Sequence, residues 1–136
     1  MKLAHPRTLP GRLATGVYIL HAGFEKWNAP HERAEGVHAM AAGAYPPLSA
    51  VPPARFLKLL AGAEIATGAA LVMPLVDSRL AGLALTAFSA GLLGLYWRSP
   101  GMRRAGSIWP TPAGMAVSKD VWMLGIGLGL LAEGAR

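Results

Sequence analysis

The stretch LAGLALTAFSAGLLGLYW, Leu80 to Trp97, holds no charged residue, follows Arg79, and runs into Tyr96, Trp97 and Arg98. At about 1.5 Å per residue it reaches most of the way across a hydrocarbon core of about 30 Å. Aromatic and basic flanks are the usual anchors of a helix at the membrane surface. The stretch reads as a transmembrane helix, and the rest of the chain agrees. Of 136 residues, 53% are hydrophobic and only 15% charged, with a mean hydropathy of +0.38, which is too apolar for an ordinary soluble domain of this size.

Three further apolar segments surround it: Arg12 to Trp27, Phe56 to Val76, and one ending at Ala132. Phe56 to Val76 is long enough to span. Leu13 to Phe24 and Val121 to Ala132 are not, at about twelve residues or 18 Å each. The first reaches full length by continuing through Glu25, Lys26 and Trp27. The last does so by beginning near Pro112 and carrying Lys119 and Asp120 inside. A soluble bundle would house the short segments more easily but leaves Leu80 to Trp97 unexplained. The expected fold is therefore an all-α membrane protein, a single domain over 1–136. It forms an antiparallel bundle of four transmembrane helices at about 12–28, 56–76, 79–97 and 113–132.

The connections carry their own signals. Pro74 and the short Asp77-Ser78-Arg79 turn make the second and third spans an antiparallel hairpin. Ala34 to Tyr45 is Ala-rich and suits a short interfacial helix between the first two spans, with Pro46-Pro47 and Pro52-Pro53 giving an extended return. Ser99 to Pro112, with Arg103, Arg104 and Trp109, has a head-group composition. Gly82, Thr86, Ala90 and Gly94 form a small-residue stripe on the third span, and Gly125 and Gly129 a GxxxG on the fourth, as close helix packing in lipid requires. Lys2, Arg7 and Arg12 before the first apolar run imitate a signal peptide, but the further spans point to a retained first helix.

The net charge of +6 does not indicate nucleic acid. The thirteen Lys and Arg lie in connections and flanks, and form no basic helix interleaved with aromatics. Their natural partner is the lipid bilayer. The absence of cysteine excludes dithiol exchange and thiolate-ligated clusters by this chain. Gly125, Gly127 and Gly129 follow no strand and have apolar neighbours, unlike a nucleotide loop.

Glu64 is the anomaly, a lone carboxylate within Leu59 to Val76. An ionisable residue inside a span marks a functional site and needs a partner. Four alternating spans bring Glu25, Lys26, Arg98, Lys119 and Asp120 to one end of the bundle, and Glu64 points into the same half. Three acids and three bases can share one vestibule, with Lys26 the first partner of Glu64 and Lys119 the second. His21, one turn before Glu25, extends the group. Such a pocket suits a quinone, another small polar or anionic ligand, or a proton relay; alternatively its pairs only fix helix register. His31, Glu35 and His38 form a weak candidate metal set, and no catalytic triad or phosphate loop stands out.

The pattern resembles the DoxX family of small four-helix membrane proteins. The matching elements are Arg12 with Gly23 and Lys26 on the first span, Gly62-Ala63-Glu64 with Gly68 and Leu71 on the second, and Lys119-Asp120 opening the fourth. They cover about Arg12 to Leu131. The resemblance implies Lys26, Glu64, Lys119 and Asp120 as recurring polar positions. It also implies a membrane subunit or docking platform in redox or sulfur metabolism, alongside an oxidoreductase, a sulfurtransferase or a superoxide dismutase. The expected location is a bacterial plasma membrane, as a multi-pass protein. A small proton-coupled transporter using Glu64 and a purely structural membrane protein are the alternatives.

Overall fold

The computed structural model describes residues 3–134, which leaves Lys2 outside it. The described chain is helical, with no strand and one isolated bridge between Arg103 and Pro110. The main helices are α1 (Leu9–Trp27), α2 (His31–Ala44), α3 (Pro53–Val72), α4 (Ser78–Arg98), the single turn α5 (Met115–Ser118), and α6 (Asp120–Gly134). Of these segments, Ser78–Arg98 and Pro112–Glu133 are long and apolar enough to cross a membrane. The last segment qualifies by starting at Pro112, with Lys119 and Asp120 inside it. The Phe56 to Val76 segment supplies most of α3, which at 20 residues is long enough, but α3 is not among the segments apolar enough to qualify, because Arg55, Lys58 and Glu64 lie within it.

Local chemistry sets the helix ends. α1 begins at Leu9 rather than Arg12 because Pro10, with its preset φ, fits the first turn. Pro53 does the same for α3. That helix stops at Val72, short of the expected Val76, because Met73 precedes Pro74 and is pushed out of the α region. Asp77 caps α4, its carboxylate accepting from the Arg79 amide at 2.7 Å. The expected extended return after α2 is instead a 3-10 turn over Pro46–Ala50. A tightened turn at Lys119 separates α5 from α6, where the Trp122 amide donates to the Lys119 carbonyl at 3.0 Å.

Helix α1 packs chiefly on α3, and α4 on α6; α3 and α4 touch more sparingly, and α2 lies across α3. Both close pairs meet backbone to backbone. A Cβ on Gly68 would fall 2.9 Å from the Gly16 carbonyl oxygen, and one on Gly82 would fall 2.9 Å from that of Gly127. Gly82 and Thr86 of the small-residue stripe serve this contact, whereas Gly94 receives Tyr45 and Ala90 is exposed. On α6 the contact glycine is Gly127. Gly125 and Gly129, expected to form the packing motif, have nothing opposite them within 4 Å, because residues two apart on a helix point to opposite sides. The apolar core of Ile19, Leu71, Ala81, Leu85 and Leu130 occupies the half of the bundle nearest the α3–α4 turn.

Cations close the carboxyl ends of four helices, where backbone carbonyls lack amide partners. Arg12, fully buried, donates from Nε to the Leu71 carbonyl at 2.9 Å, and from Nη2 to Ala70 at 2.8 Å and Met73 at 2.9 Å. Its Nη1 donates to the Val76 carbonyl at 2.9 Å and Ser78 Oγ at 3.1 Å. One guanidinium thus ties α1 to the end of α3 and the start of α4. Lys58 donates to the Trp27 carbonyl at 2.7 Å, Arg98 to Ala44 at 3.3 Å, and Arg103 to Trp97 at 3.2 Å. Much of the basic surplus is absorbed in this way.

Candidate functional site

The buried stripe of α3 runs through Leu57, Ala61, Glu64, Thr67, Gly68 and Leu71. Its three- and four-residue spacing is that of one helix face, so the same period that buries the leucines buries Glu64. Opposite it, Gly23 lets α1 approach; a Cβ there would lie 3.1 Å from both the Ala61 carbonyl oxygen and Glu64 Cβ. Lys26 follows three residues later on that face. Its ammonium bridges both carboxylate oxygens, at 3.0 Å to Oε1 and 3.1 Å to Oε2. The side chains are 17% and 6% exposed respectively, so the pair is largely shielded from the surroundings.

Asp120, in the first turn of α6, joins them from the other helix pair. Its negative charge suits that position on the helix dipole. Glu64 and Asp120 line one cavity of about 190 Å³ whose remaining wall is Tyr18, Ile19, Ala22, Phe88, Leu92 and Met123. All four long helices contribute to it. Chemically it is an apolar chamber carrying two carboxylates beside one ammonium, large enough for a few waters or a small polar group.

Of the six charges expected in one vestibule, the structure brings together Lys26, Glu64 and Asp120. The other residues lie elsewhere. His21 and Glu25 pair with each other at 3.3 Å on the exposed face of α1, since their shared face is not the one carrying Gly23 and Lys26. Arg98 caps α2 and lies over the Tyr45 ring. Lys119 is exposed and makes no ion pair with Glu64 or Asp120 among the described residues. Adjacent helical positions diverge, so Asp120 turns into the cavity while Lys119 lines a separate groove.

The weak metal set separates as well. His31 and Glu35 pair at 2.9 Å, but the His38 ring bonds the Leu48 carbonyl at 2.9 Å and meets Phe56 edge-on. No group of three potential ligands exists among the described residues.

Two structural roles were not anticipated from the sequence. Arg12 serves as a five-bond clamp, for which its place at the start of an apolar run was the available signal. Tyr45 donates its hydroxyl to the Gly91 carbonyl at 2.8 Å, fixing the end of α2 to α4.

Fold and cavity together define an all-helical protein with two segments fit to cross a membrane and a charged chamber among its four long helices. Comparison with family models, curated proteins and solved structures found no match to the chain.

Proposed function

We propose that this chain is a DoxX-like integral membrane protein of four spans. It serves as the membrane subunit or docking platform of a redox or sulfur-metabolism assembly, either quinone-linked or engaged in oxidative-stress defence. The observation that carries this reading is the inversion of polarity: charge is paired inside and large apolar side chains face out. Val17, Phe24, Leu59, Leu80, Leu83 and Leu128 are all exposed, whereas Arg12 and Glu64 are buried. Exposed apolar surface on this scale favours a lipid surround. The two apolar segments are only 28% and 11% buried, unlike core helices of a soluble bundle. Helices α1 and α3 carry more charge, but Arg12, Lys26 and Glu64 are satisfied internally, which is what an intramembrane charge requires.

In this role the chamber lined by Glu64 and Asp120, with Lys26 held on Glu64, is the polar site for a quinone head group or a comparable small ligand. The thiol chemistry of such an assembly belongs to a partner oxidoreductase or sulfurtransferase, because this chain has no cysteine, and a superoxide dismutase is a further partner. Purification in mild detergent should recover such a partner, and Glu64→Gln should weaken quinone-dependent electron transfer by the purified assembly while the fold persists. Unchanged transfer would count against the reading.

A second reading is favoured by the two carboxylates that line the chamber, Glu64 and Asp120, with Lys26 paired to the first: a small proton-coupled transporter in which Glu64 exchanges the proton. Solute flux into liposomes would then vary with pH and vanish in Glu64→Gln. Flux that is absent, or indifferent to the mutation, removes it.

A further inference from the structure

Outside the charged chamber, the connection between α4 and α6 builds a second and larger site. Its two arms pair, with the Arg104 amide donating to the Trp109 carbonyl and the Thr111 amide to Met102, both at 2.9 Å. Gly101 and Gly106, at φ +81° and +67°, supply the left-handed turns. The hydroxyl of the buried Tyr96 donates to the Ile108 carbonyl at 2.6 Å, locking this loop to α4. Trp97, Trp109 and Trp122 thereby surround one groove of about 780 Å³.

The charged residues lining this groove are both cations, Arg104 and Lys119; no carboxylate faces it. Neither forms an ion pair among the described residues, and Arg104 reaches only the Pro110 carbonyl, at 3.4 Å. The neighbouring Arg103 differs, being held on the Trp97 ring at 3.8 Å and on two backbone carbonyls. The remaining walls include Leu93, Ile108 and Val121. A free anion would leave that apolar wall uncovered, and a neutral apolar molecule would leave both cations unanswered.

We propose that this groove binds an anionic phospholipid, the phosphate held by Arg104 and Lys119 and an acyl chain lying along the apolar wall beneath the tryptophans. The proposal rests on the membrane reading given above. It also gives Lys119 a role separate from Glu64 and Asp120.

Three of the four tryptophans line the site, so they report on it directly. The full chain carrying Trp27→Phe is reconstituted in phosphatidylcholine vesicles, and its emission is quenched by lipids with brominated acyl chains. Brominated phosphatidylglycerol should occupy the groove about thirtyfold more tightly than brominated phosphatidylcholine. Each lipid-facing cation contributes about a factor of five. Arg104→Gln and Lys119→Gln, both at exposed positions, should each remove about fivefold and together abolish the preference, while Lys119→Arg retains it. Quenching indifferent to the head group, or a preference that survives the double variant, overturns the proposal. So does displacement of the lipid by millimolar inorganic phosphate, which would assign the groove to a soluble phosphate compound. Flotation of the chain with the vesicles tests the membrane reading separately. A chain that stays behind refutes both, and a chain that floats without head-group preference refutes only the lipid site.

Discussion

Removing the ammonium from the Lys26–Glu64 pair is the sharpest test of the charged chamber. In Lys26→Met the stem is replaced at similar length, and Glu64, only 6% exposed at its side chain, loses both contacts at 3.0 and 3.1 Å. A buried ion pair deprived of one partner costs about 3–5 kcal/mol, since the remaining charge is left without compensation. The lower part of that range is expected for Glu64→Gln, because Lys26 is 17% exposed and its flexible stem can carry the ammonium outward. Lys26→Met combined with Glu64→Leu should recover most or all of the loss, because two apolar side chains of similar volume replace a desolvated pair. Asp120 supplies a further check, as it shares the chamber. Adding Asp120→Asn to Lys26→Met should restore about 1 kcal/mol by removing the second carboxylate. The assay is reversible unfolding of the detergent-solubilised chain, followed by far-UV circular dichroism across a denaturant series. A Lys26→Met variant within about 0.5 kcal/mol of the parent, the range of an ordinary surface change, would refute the buried pair. Equal losses in the single and double variants would refute the mutual compensation.

Other consequences can be checked on the same preparation. Arg12→Lys keeps the charge but not the planar fork that reaches four carbonyls and a hydroxyl, and should cost about 3 kcal/mol; hydrogen exchange should rise at the end of α3 and the start of α4. Gly127→Ala should destabilise by about 1–3 kcal/mol, because its Cβ would lie 2.5 Å from Thr86 Oγ1 and 2.9 Å from the Thr86 amide nitrogen. Gly125→Ala, with open space opposite, should instead stabilise by up to about 1 kcal/mol, and the reverse order of the two melting shifts would overturn the assigned α4–α6 contact. Lys58→Met should loosen the last turn of α1, where the ammonium bonds the Trp27 carbonyl and lies 4.2 Å from its ring centroid. Faster exchange should be confined to that turn, with little change in overall stability.

The sequence by itself determined the helical class, the long apolar helix at Leu80 to Trp97, the turn at Pro74, and the partnership of Lys26 with Glu64. These are local or periodic properties. A run of apolar residues, a proline's fixed φ and a repeating buried face are written in adjacent positions. A lone carboxylate on such a face also demands a cation from the nearest helix. Tertiary structure alone decided which faces meet. Alternation along the chain gathered Glu25, Lys26, Arg98, Lys119 and Asp120 at one end, but not around one point, because helix rotation separates residues that axial position unites. Thus Asp120 enters the chamber while Lys119, one residue away, turns to the tryptophan groove. Likewise Gly127, rather than Gly125 and Gly129, carries the crossing. Arg12 was visible as a cation before an apolar run, yet its five bonds end on groups from Ala70 to Ser78. Backbone carbonyls look the same whatever residue bears them, so only the packing of α1 against α3 and α4 could reveal what that guanidinium holds.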